Sequence, residues 1–466
     1  MEVINQMSNT NLKEYRTKLY TDLYAGIIPD RFPVNDDISL EPMIQYAGLD
    51  LRKVQYEYTE ELVTQILDKI MEVARGDSGD FINAKLSFAR NATAMMFSRN
   101  TAFIMNDSGF FQHPEKSTMS PDEYDEFIEN PEKFIVEKSQ VRFNPAYDTS
   151  PIKAAFIYFK AATARNDQMA TLGSAARKAV EKYQLFSYVP GTVGGTDPPF
   201  DILTDFNRGF TQINMDLRRR PEKVLAAIEA LMPYCIYYQK TPLVDNNGPS
   251  KIMTHMGVFL NNKDFDKFYW PTFNELCHIA GERGQHIQIL AEGNWERFTD
   301  QLMDLPALTR FQFELGDPKH YKDTIGKKHI LGGLYPITML RTDSKEKCID
   351  KAKELIDIMA PGGNFYFTLD RTALSINDIN PVNYRAVMEY AVNNGKYDNP
   401  GQKATDYVFE DTVINYSHKY PEFKSNYYIP WEEYKSLYPP VNEEVEPLMR
   451  AQYEKYSAMF YDINII

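Results

Sequence analysis

The feature that most constrains this chain is the alternation of short apolar runs with longer amphipathic segments between residues 186 and 397. Short apolar runs bounded by turn residues predict buried strands, and the longer segments predict helices. The predicted strands cover residues 252–259, 286–291, 309–315, 329–334 and 364–369. A repeat of strand and helix is what a (β/α)8 barrel or a doubly wound parallel sheet requires.

Two of the helices between these strands have clear ends. Residues 264–281 carry apolar side chains at helical spacing and stop at Gly281, and residues 344–359 begin after Ser344, a preferred N-cap residue. The sequence has no GxGxxG at a strand-to-helix junction and no GxxxxGK[ST]. A dinucleotide-binding or P-loop sheet therefore lacks its phosphate loop, and the barrel is favoured.

Composition excludes several classes of protein. The 466 residues carry a net charge of -14, which argues against a nucleic-acid partner, because such binding depends on Lys and Arg. The three cysteines form no CxxC pair and no disulfide framework, and no stretch is long and apolar enough to span a bilayer. The start of the chain has no apolar signal region. We therefore expect a cytoplasmic protein without a membrane or nucleic-acid partner.

The two ends of the chain are less regular. The first 185 residues contain a predicted helix at 59–75 and a predicted strand at 101–105. After residue 398 the chain is rich in Tyr and contains Pro, which suggests a subunit contact, a lid or a wrap around the barrel. Aromatic residues make up 13% of the whole chain, with 31 Tyr and 28 Phe, and many of the Tyr lie in this tail.

Polar side chains at the carboxyl ends of the predicted strands are the candidates for chemistry, because ligands of parallel β/α folds bind at that rim. These candidates are His255, Glu292, Glu314, Asp317, Asp370 and Arg371. Two carboxylates and an imidazole at one rim suit either a Zn²⁺ site or general acid and base catalysis. We predict Glu292, Glu314 and Asp317 as catalytic, with His255, Asp370 and Arg371 binding substrate.

Structural roles compete with these assignments. Glu292 and Asp317 could each cap a following helix, and Asp317 stands directly before Pro318, as an N-cap residue often does. His329 opens a strand far from the rim, which favours a structural role. Cys277 and Cys348 fall on apolar helix stripes, so we predict that both are core residues.

The stretch from about 200 to 397 resembles the uroporphyrinogen decarboxylase superfamily, most closely its long corrinoid-linked methyltransferase branch. An earlier echo at 29–34 and 122–125 extends the resemblance to about residue 395. The segments that carry it are Pro199-Phe200, Arg208-Gly209, Met215-Asp216, Pro221-Glu222, 265–271, Glu292-Gly293, Leu305-Pro306, Phe313-Glu314 with Asp317, 332–336, 362–365 and 380–383. The resemblance implies a (β/α)8 TIM barrel over 1–397, with its active site at the carboxyl rim, followed by an aromatic-rich extension over 398–466.

The resemblance also bears on function. True decarboxylases of the superfamily carry an Arg-rich amino-terminal motif, and nothing like it follows Val34 here. The thiol-methylating branch has a His-x-Cys zinc pair where this chain has Leu290-Ala291-Glu292. Any Zn²⁺ would therefore need an oxygen-rich site formed by Glu292, Glu314 and His255. What remains resembles methyltransferases that move a methyl group from an aromatic methyl ether to the cobalamin of a partner corrinoid protein.

Two alternatives stay open. One is a decarboxylase or lyase of a polycarboxylate, which would need arginines clustered at the rim. The other is a non-catalytic subunit that binds a partner through its aromatic tail. The sequence identifies neither the methyl donor nor the oligomeric state.

Overall fold

The computed structural model describes residues 12–79, 91–440 and 442–461, with the side chains of 458–461 left out. The chain divides into two compact units. The sheet unit comprises Met1–Ala89, Thr171–Asp201 and Cys235–Tyr420, and the helical unit comprises Arg90–Ala170, Ile202–Tyr234 and Pro421–Ile466. The predicted boundary between a barrel over 1–397 and an extension over 398–466 stays a prediction.

Seven short strands lie in the described residues. They are β1 (Ile104–Met105), β2 (Phe111–Gln112), β3 (Gly194–Gly195), β4 (Pro249–Thr254), β5 (His286–Asn294), β6 (Arg310–Leu315) and β7 (Ile330–Gly333). The first two form an antiparallel pair in the helical unit. The other five form one parallel sheet in the order β3-β4-β5-β6-β7, and four of them lie where the sequence predicts strands. The predicted α/β class is therefore confirmed.

The fifth predicted strand, 364–369, is not a strand of this sheet. Its residues make isolated parallel bridges instead: Leu331 pairs with Phe365, Tyr335 with Leu369, and Val34 with Phe367. The bridges Ile38 to Ala373 and Ser78 to Phe186 are also parallel. Across the described ranges the strands do not close into a barrel, so an open parallel sheet is what the structure establishes.

Side chains along β4, β5 and β6 alternate between buried and partly exposed, so the sheet has one covered face and one accessible face. Alternate side chains such as Ile252, Ile289 and Phe313 are fully buried. Their neighbours along each strand are partly exposed, as the burial patterns of the three strands show. Because successive strand residues point to opposite sides, the accessible residues share one face.

Helices cover the rest of the sheet unit. They are Leu12–Tyr24, Leu40–Tyr46, Leu51–Val54, Glu60–Val73, Asn262–Asp264, Phe265–Tyr269, Trp270–Glu282, Thr299–Leu302, Pro318–Thr324, Ile337–Thr342, Lys345–Met359 and Pro381–Asn393. Ser344 accepts a hydrogen bond from the N–H of Lys347 and so is the predicted N-cap of Lys345–Met359. Cys277 and Cys348 are buried, which confirms that both are core residues.

The segment 262–282 is helical throughout, but its middle turn, Phe265–Tyr269, is a π-turn. Pro271 follows this turn and has no N–H to donate to the preceding carbonyls. A missing donor of this kind breaks the i to i−4 ladder, and a wider turn accommodates the break. The aromatic run therefore turns so that Tyr269 is fully buried.

The helical unit holds the helices Ala92–Ser98, Tyr124–Glu129, Pro131–Phe134, Ile135–Ser139, Gln140–Phe143, Thr204–Arg208, Phe210–Arg219, Trp431–Leu437 and Glu446–Tyr461. Three further helices, Pro151–Tyr183, Pro199–Leu203 and Pro221–Gln239, continue along the chain from one unit into the other. No helix among the described residues is long and apolar enough to cross a bilayer.

The tyrosines of the tail belong to both units. Within the helical unit, Trp431, Tyr434 and Tyr453 pack together and line a groove of about 990 Å³. Within the sheet unit, Tyr416 and Tyr420 hydrogen-bond to Glu282 and Glu275 of the helix Trp270–Glu282, and Phe409 stacks on His286 of β5 at 4.1 Å between ring centres. Much of the aromatic excess is therefore used in packing.

Candidate functional site

The carboxyl ends of β4 and β5 bring together two of the predicted residues. His255 follows the last residue of β4, and Glu292 lies near the end of β5. The Nδ1 atom of His255 lies 2.8 Å from Oε2 of Glu292, and both side chains are partly exposed. Glu292 lies within its strand, so it does not cap the following helix.

Buried groups fix the position of His255. The carboxylate of Asp201 accepts hydrogen bonds from the backbone N–H of His255 at 2.9 Å and of Met256 at 3.2 Å. The same carboxylate accepts from the hydroxyl of Tyr269 at 3.2 Å. Asp201 is fully buried, so these donors offset the cost of burying its polar group. The buried carboxylate of Asp201 thus fixes the backbone of His255 and Met256.

The neighbouring acids keep His255 charged. Burial alone would lower its pKa, but the hydrogen bond and charge of Glu292, with the charges of Asp201 and Asp197, outweigh burial. The pKa of His255 rises to about 10 as a result. His255 is therefore an imidazolium at neutral pH, with Nδ1–H donating to Glu292.

Glu314 and Arg371 continue the rim beyond Glu292. Oε2 of Glu314 accepts a hydrogen bond from the N–H of Gly293 at 2.8 Å, and Oε1 lies 3.5 Å from the Arg371 guanidinium. The pairing of β5 with β6 shifts register between Ala291 and Asn294. Irregularities of this kind often redirect a side chain beside an active site. Here the shift occurs at Glu292 itself.

Asp370 lies at the far end of this line. Its carboxylate accepts hydrogen bonds from the N–H of Ile337 at 3.1 Å and of Arg371 at 2.8 Å. Burial raises the pKa of Asp370 to about 6, although these bonds oppose the rise. Asp370 therefore holds the start of the helix Ile337–Thr342 and the backbone of Arg371. Its predicted contact with substrate stays a prediction.

Asp317 has a different position from the other candidates. It is the N-cap of the helix Pro318–Thr324, where its side chain accepts from the N–H of Lys319 at 2.9 Å. This is the capping role that competes with catalysis in the sequence. His329 is fully buried, and burial lowers its pKa to about 3, so its imidazole is a neutral core group.

The three predicted zinc ligands do not converge. His255 and Glu292 satisfy each other, and Glu314 is committed to Gly293 and Arg371. Within the parts of the chain that the structure describes, no group of three His, Cys, Asp or Glu side chains could hold a metal ion. The donor set therefore does not fit a zinc site of three protein ligands.

Two buried arginines, Arg31 and Arg208, are engaged in structural ion pairs. In the sheet unit, Arg31 forms a bidentate salt bridge with the buried carboxylate of Asp77. In the helical unit, Arg208 donates to Asp216 at 2.7 Å and is itself buried. Neither guanidinium is placed to bind substrate.

Asp201 and Tyr269 are the site residues that sequence reasoning missed. Both lie in helical segments rather than at predicted strand ends. The rule that ligands bind at the carboxyl ends of the strands, the rim rule, therefore does not find them. The sequence signal for both is their place beside the family resemblance. Asp201 directly follows Pro199-Phe200, and Tyr269 lies within the segment 265–271.

Comparison with known proteins identifies the family of this chain. The family model for uroporphyrinogen decarboxylase (URO-D) matches residues 144–389, more than half of the chain, and this range contains all six predicted site residues. The fold of that family is a TIM barrel. Comparison with curated proteins finds no match. The chain belongs to the uroporphyrinogen decarboxylase family.

Proposed function

We propose that this chain is a methyltransferase that moves a methyl group from a methylated small molecule to the cobalamin of a partner corrinoid protein. The donor that we propose is an aromatic methyl ether. The observation that carries the proposal is the charged His255–Glu292 pair at the carboxyl rim, because ether cleavage requires a proton donor there.

The chemistry is a displacement at the methyl carbon. The carbon–oxygen bond breaks, its electron pair stays on oxygen, and the methyl group passes to the nucleophilic acceptor. A phenolate is a poor leaving group unless it is protonated or stabilised as it departs. Nδ1 of His255 is bonded to Glu292, so the proton on Nε2 is the one available to the departing oxygen.

Two neighbours of His255 have supporting tasks. Glu292 stabilises the imidazolium before transfer, and Asp201 fixes the backbone that carries it. In this mechanism a charged imidazole takes the place of a Lewis acid, and no step is routed through zinc. The aromatic methyl ether and the corrinoid acceptor follow from the family resemblance.

The test is methyl transfer by the purified chain. Methoxybenzoates are incubated with reduced free cobalamin, and the methylated cobalamin and the released phenol are measured together. We expect equal amounts of both products. His255→Gln should lower the rate by about 10²- to 10⁴-fold, which is the usual contribution of a general acid. Glu354→Gln, at a surface pair with Lys351, is the matched control.

Other outcomes would overturn the proposal. Release of CO₂ from polycarboxylates without methyl transfer would instead support a decarboxylase. The absence of both activities would favour a non-catalytic subunit. Stoichiometric zinc that is lost in Glu292→Ala, together with loss of activity in excess chelator, would return the proton-donor role to a metal.

A further inference from the structure

The accessible face of the sheet is arranged in three chemically distinct rows. Lys251 of β4 pairs in register with Gln288 of β5, and two residues further along Met253 pairs with Leu290. Two residues beyond these lie His255 and Glu292. Because residues two apart in a strand share a face, the rows run from a cation, through apolar side chains, to the His255–Glu292 pair.

The middle row offers an apolar platform. Met253 is 49% exposed although it lies within a central strand between β3 and β5. Leu290 beside it is partly exposed. A thioether and an isobutyl group next to open space suit a flat apolar ligand, since the thioether of Met adapts to aromatic surfaces.

Lys251 has no acidic partner. Its Nζ lies 5.4 Å from the centre of the Tyr188 ring, and among the described residues no carboxylate lies within salt-bridge distance of it. The Tyr188 hydroxyl in turn lies 3.5 Å from Oε1 of Gln288. An ammonium without a carboxylate at salt-bridge distance keeps its N–H donors available for an anion.

A neighbouring cation on the same sheet shows the contrast. Arg310 of β6 is buried, and its guanidinium donates to the carbonyls of Asn246 and Asn247, both at 2.6 Å. It also lies 3.4 Å from the centre of the Tyr24 ring. Arg310 is thus fully engaged in structure, whereas Lys251 is partly exposed and its ammonium lies near the Tyr188 ring.

We propose that Lys251 binds a carboxylate of the substrate, whose apolar body lies over Met253 and Leu290 while its reacting end meets His255 and Glu292. This inference rests on the proposed function and narrows its substrate to an aromatic monocarboxylate. His255 lies four positions after Lys251, which corresponds to about 13 Å along the strand direction. An interval of this length has room for a single ring together with the two side chains that flank it.

Equilibrium binding tests the inference without catalysis. The probes are 4-methoxybenzoate and 4-methoxybenzamide, which differ in charge but hardly in shape. We expect the wild-type chain to bind the benzoate about 10- to 100-fold more tightly, the range of a charge-assisted hydrogen bond. Lys251→Met should abolish this preference without weakening the benzamide, and Lys251→Arg should restore part of it.

Lys263→Met, which removes an exposed lysine of the helix Asn262–Asp264, is the matched control and should keep the full preference. Equal affinity of the wild-type chain for the two probes would overturn the inference, and so would failure of both to bind. That wild-type comparison decides the matter even if Lys251→Met does not fold. A retained preference in a chain without methyl transfer would refute the proposed function alone. Methyl transfer with an unchanged KM in Lys251→Met would refute the Lys251 subsite alone.

Discussion

At the scale of single residues, the His255–Glu292 pair differs from an ordinary surface ion pair because the buried acid Asp201 supports it. Asp201 lies beneath His255 and adds negative charge to that of Glu292. Exposed pairs contribute little, since water screens both charges. Here partial burial and three acids act on one imidazole, so its protonation state depends on Glu292.

Glu292→Gln should therefore change the pH dependence of the reaction. His255 donates a proton, so activity should persist at low pH and fall as pH rises through its pKa, which is about 10 in the wild type. Removing the Glu292 charge should lower the pH at which activity falls, toward the ordinary histidine pKa of about 6.5. The measurements are kcat against pH and an NMR titration of the imidazole.

Glu354→Gln should leave both curves in place. An unchanged NMR titration in Glu292→Gln would show that Glu292 does not set the pKa of His255. A shifted titration with an unshifted kcat profile would show that His255 is not the proton donor.

Residue-scale prediction rested on strand ends, and helix capping competed with it for Glu292 and Asp317. The rim rule placed His255 and Glu292 correctly at the carboxyl ends of neighbouring strands. For Asp317 the same rule competed with helix capping, and the structure shows the cap. Lys251 and Met253 were passed over because their strand was predicted from its apolar residues, and the accessible face needs the register of β4 with β5.

At the scale of elements, a close contact between the backbones of β7 and β6 restricts position 333 to glycine. Gly333 has φ +86, and a Cβ there would lie 2.2 Å from the carbonyl oxygen of Phe313. The φ alone disfavours other residues, and the contact is with backbone that cannot rotate away. Gly362 shares the conformation at φ +80 but has nothing within 4 Å of its Cβ position.

These two glycines provide a matched test. Gly362→Ala should cost about 1 kcal/mol of unfolding free energy for the left-handed backbone alone. Gly333→Ala should cost about 2 to 4 kcal/mol, since strain and overpacking add to the same conformational cost. Urea unfolding of both variants measures the difference. Equal losses would show that the β6–β7 contact relaxes without cost.

The part of the tail that belongs to the sheet unit, residues 398–420, provides a second test at this scale. Phe409 is buried and stacks on His286, while Ile414 donates its N–H to Nδ1 of His278 at 3.1 Å. Phe409→Ala should cost about 3 to 5 kcal/mol, as for other buried Phe side chains. Phe259→Ala is the control, because Phe259 is 65% exposed. A loss below that of the control would show that the segment contributes no stability.

Element prediction was most accurate where patterns were strong. Strands β4 to β7 and the N-cap at Ser344 lie close to their predicted positions. The 33-residue helix Pro151–Tyr183 was not predicted, because its apolar residues do not form one clean stripe. The π-turn at Phe265–Tyr269 was also not predicted, although Pro271 is its visible cause.

At the scale of the whole molecule, local sequence patterns predict where the strands lie but do not predict whether the strands close into a barrel. Hydrophobic alternation shows which residues are buried, whereas closing a barrel depends on tilt and register around the ring. The isolated bridges that join Phe365 and Phe367 to their neighbours have the parallel sense that further barrel strands would have. The (β/α)8 barrel of the family stays a prediction for this chain.

Stability against acid is a property of the whole molecule. Burial lowers the pKa of His278 to about 4 and those of His286 and His329 to about 3. All three stay neutral when folded and take up protons on unfolding below pH 6.5, the ordinary value. Acid therefore favours the unfolded state. Asp36 and Asp370 act in the opposite direction, because burial raises both pKa values to about 6 and the folded state keeps their protons.

Three histidines outweigh two acids, so the free energy of unfolding should fall as pH drops from 6.5 toward 4. His286→Gln removes one of the three titrations. The slope of unfolding free energy against pH should then decrease by about 1.4 kcal/mol per pH unit, the value for one proton. The measurement is urea unfolding at several pH values, where an offset from lost packing does not affect the slope. His418→Gln, which removes an exposed imidazole, is the control for the substitution itself. An equal slope in wild type and His286→Gln would mean that His286 is already protonated in the folded chain.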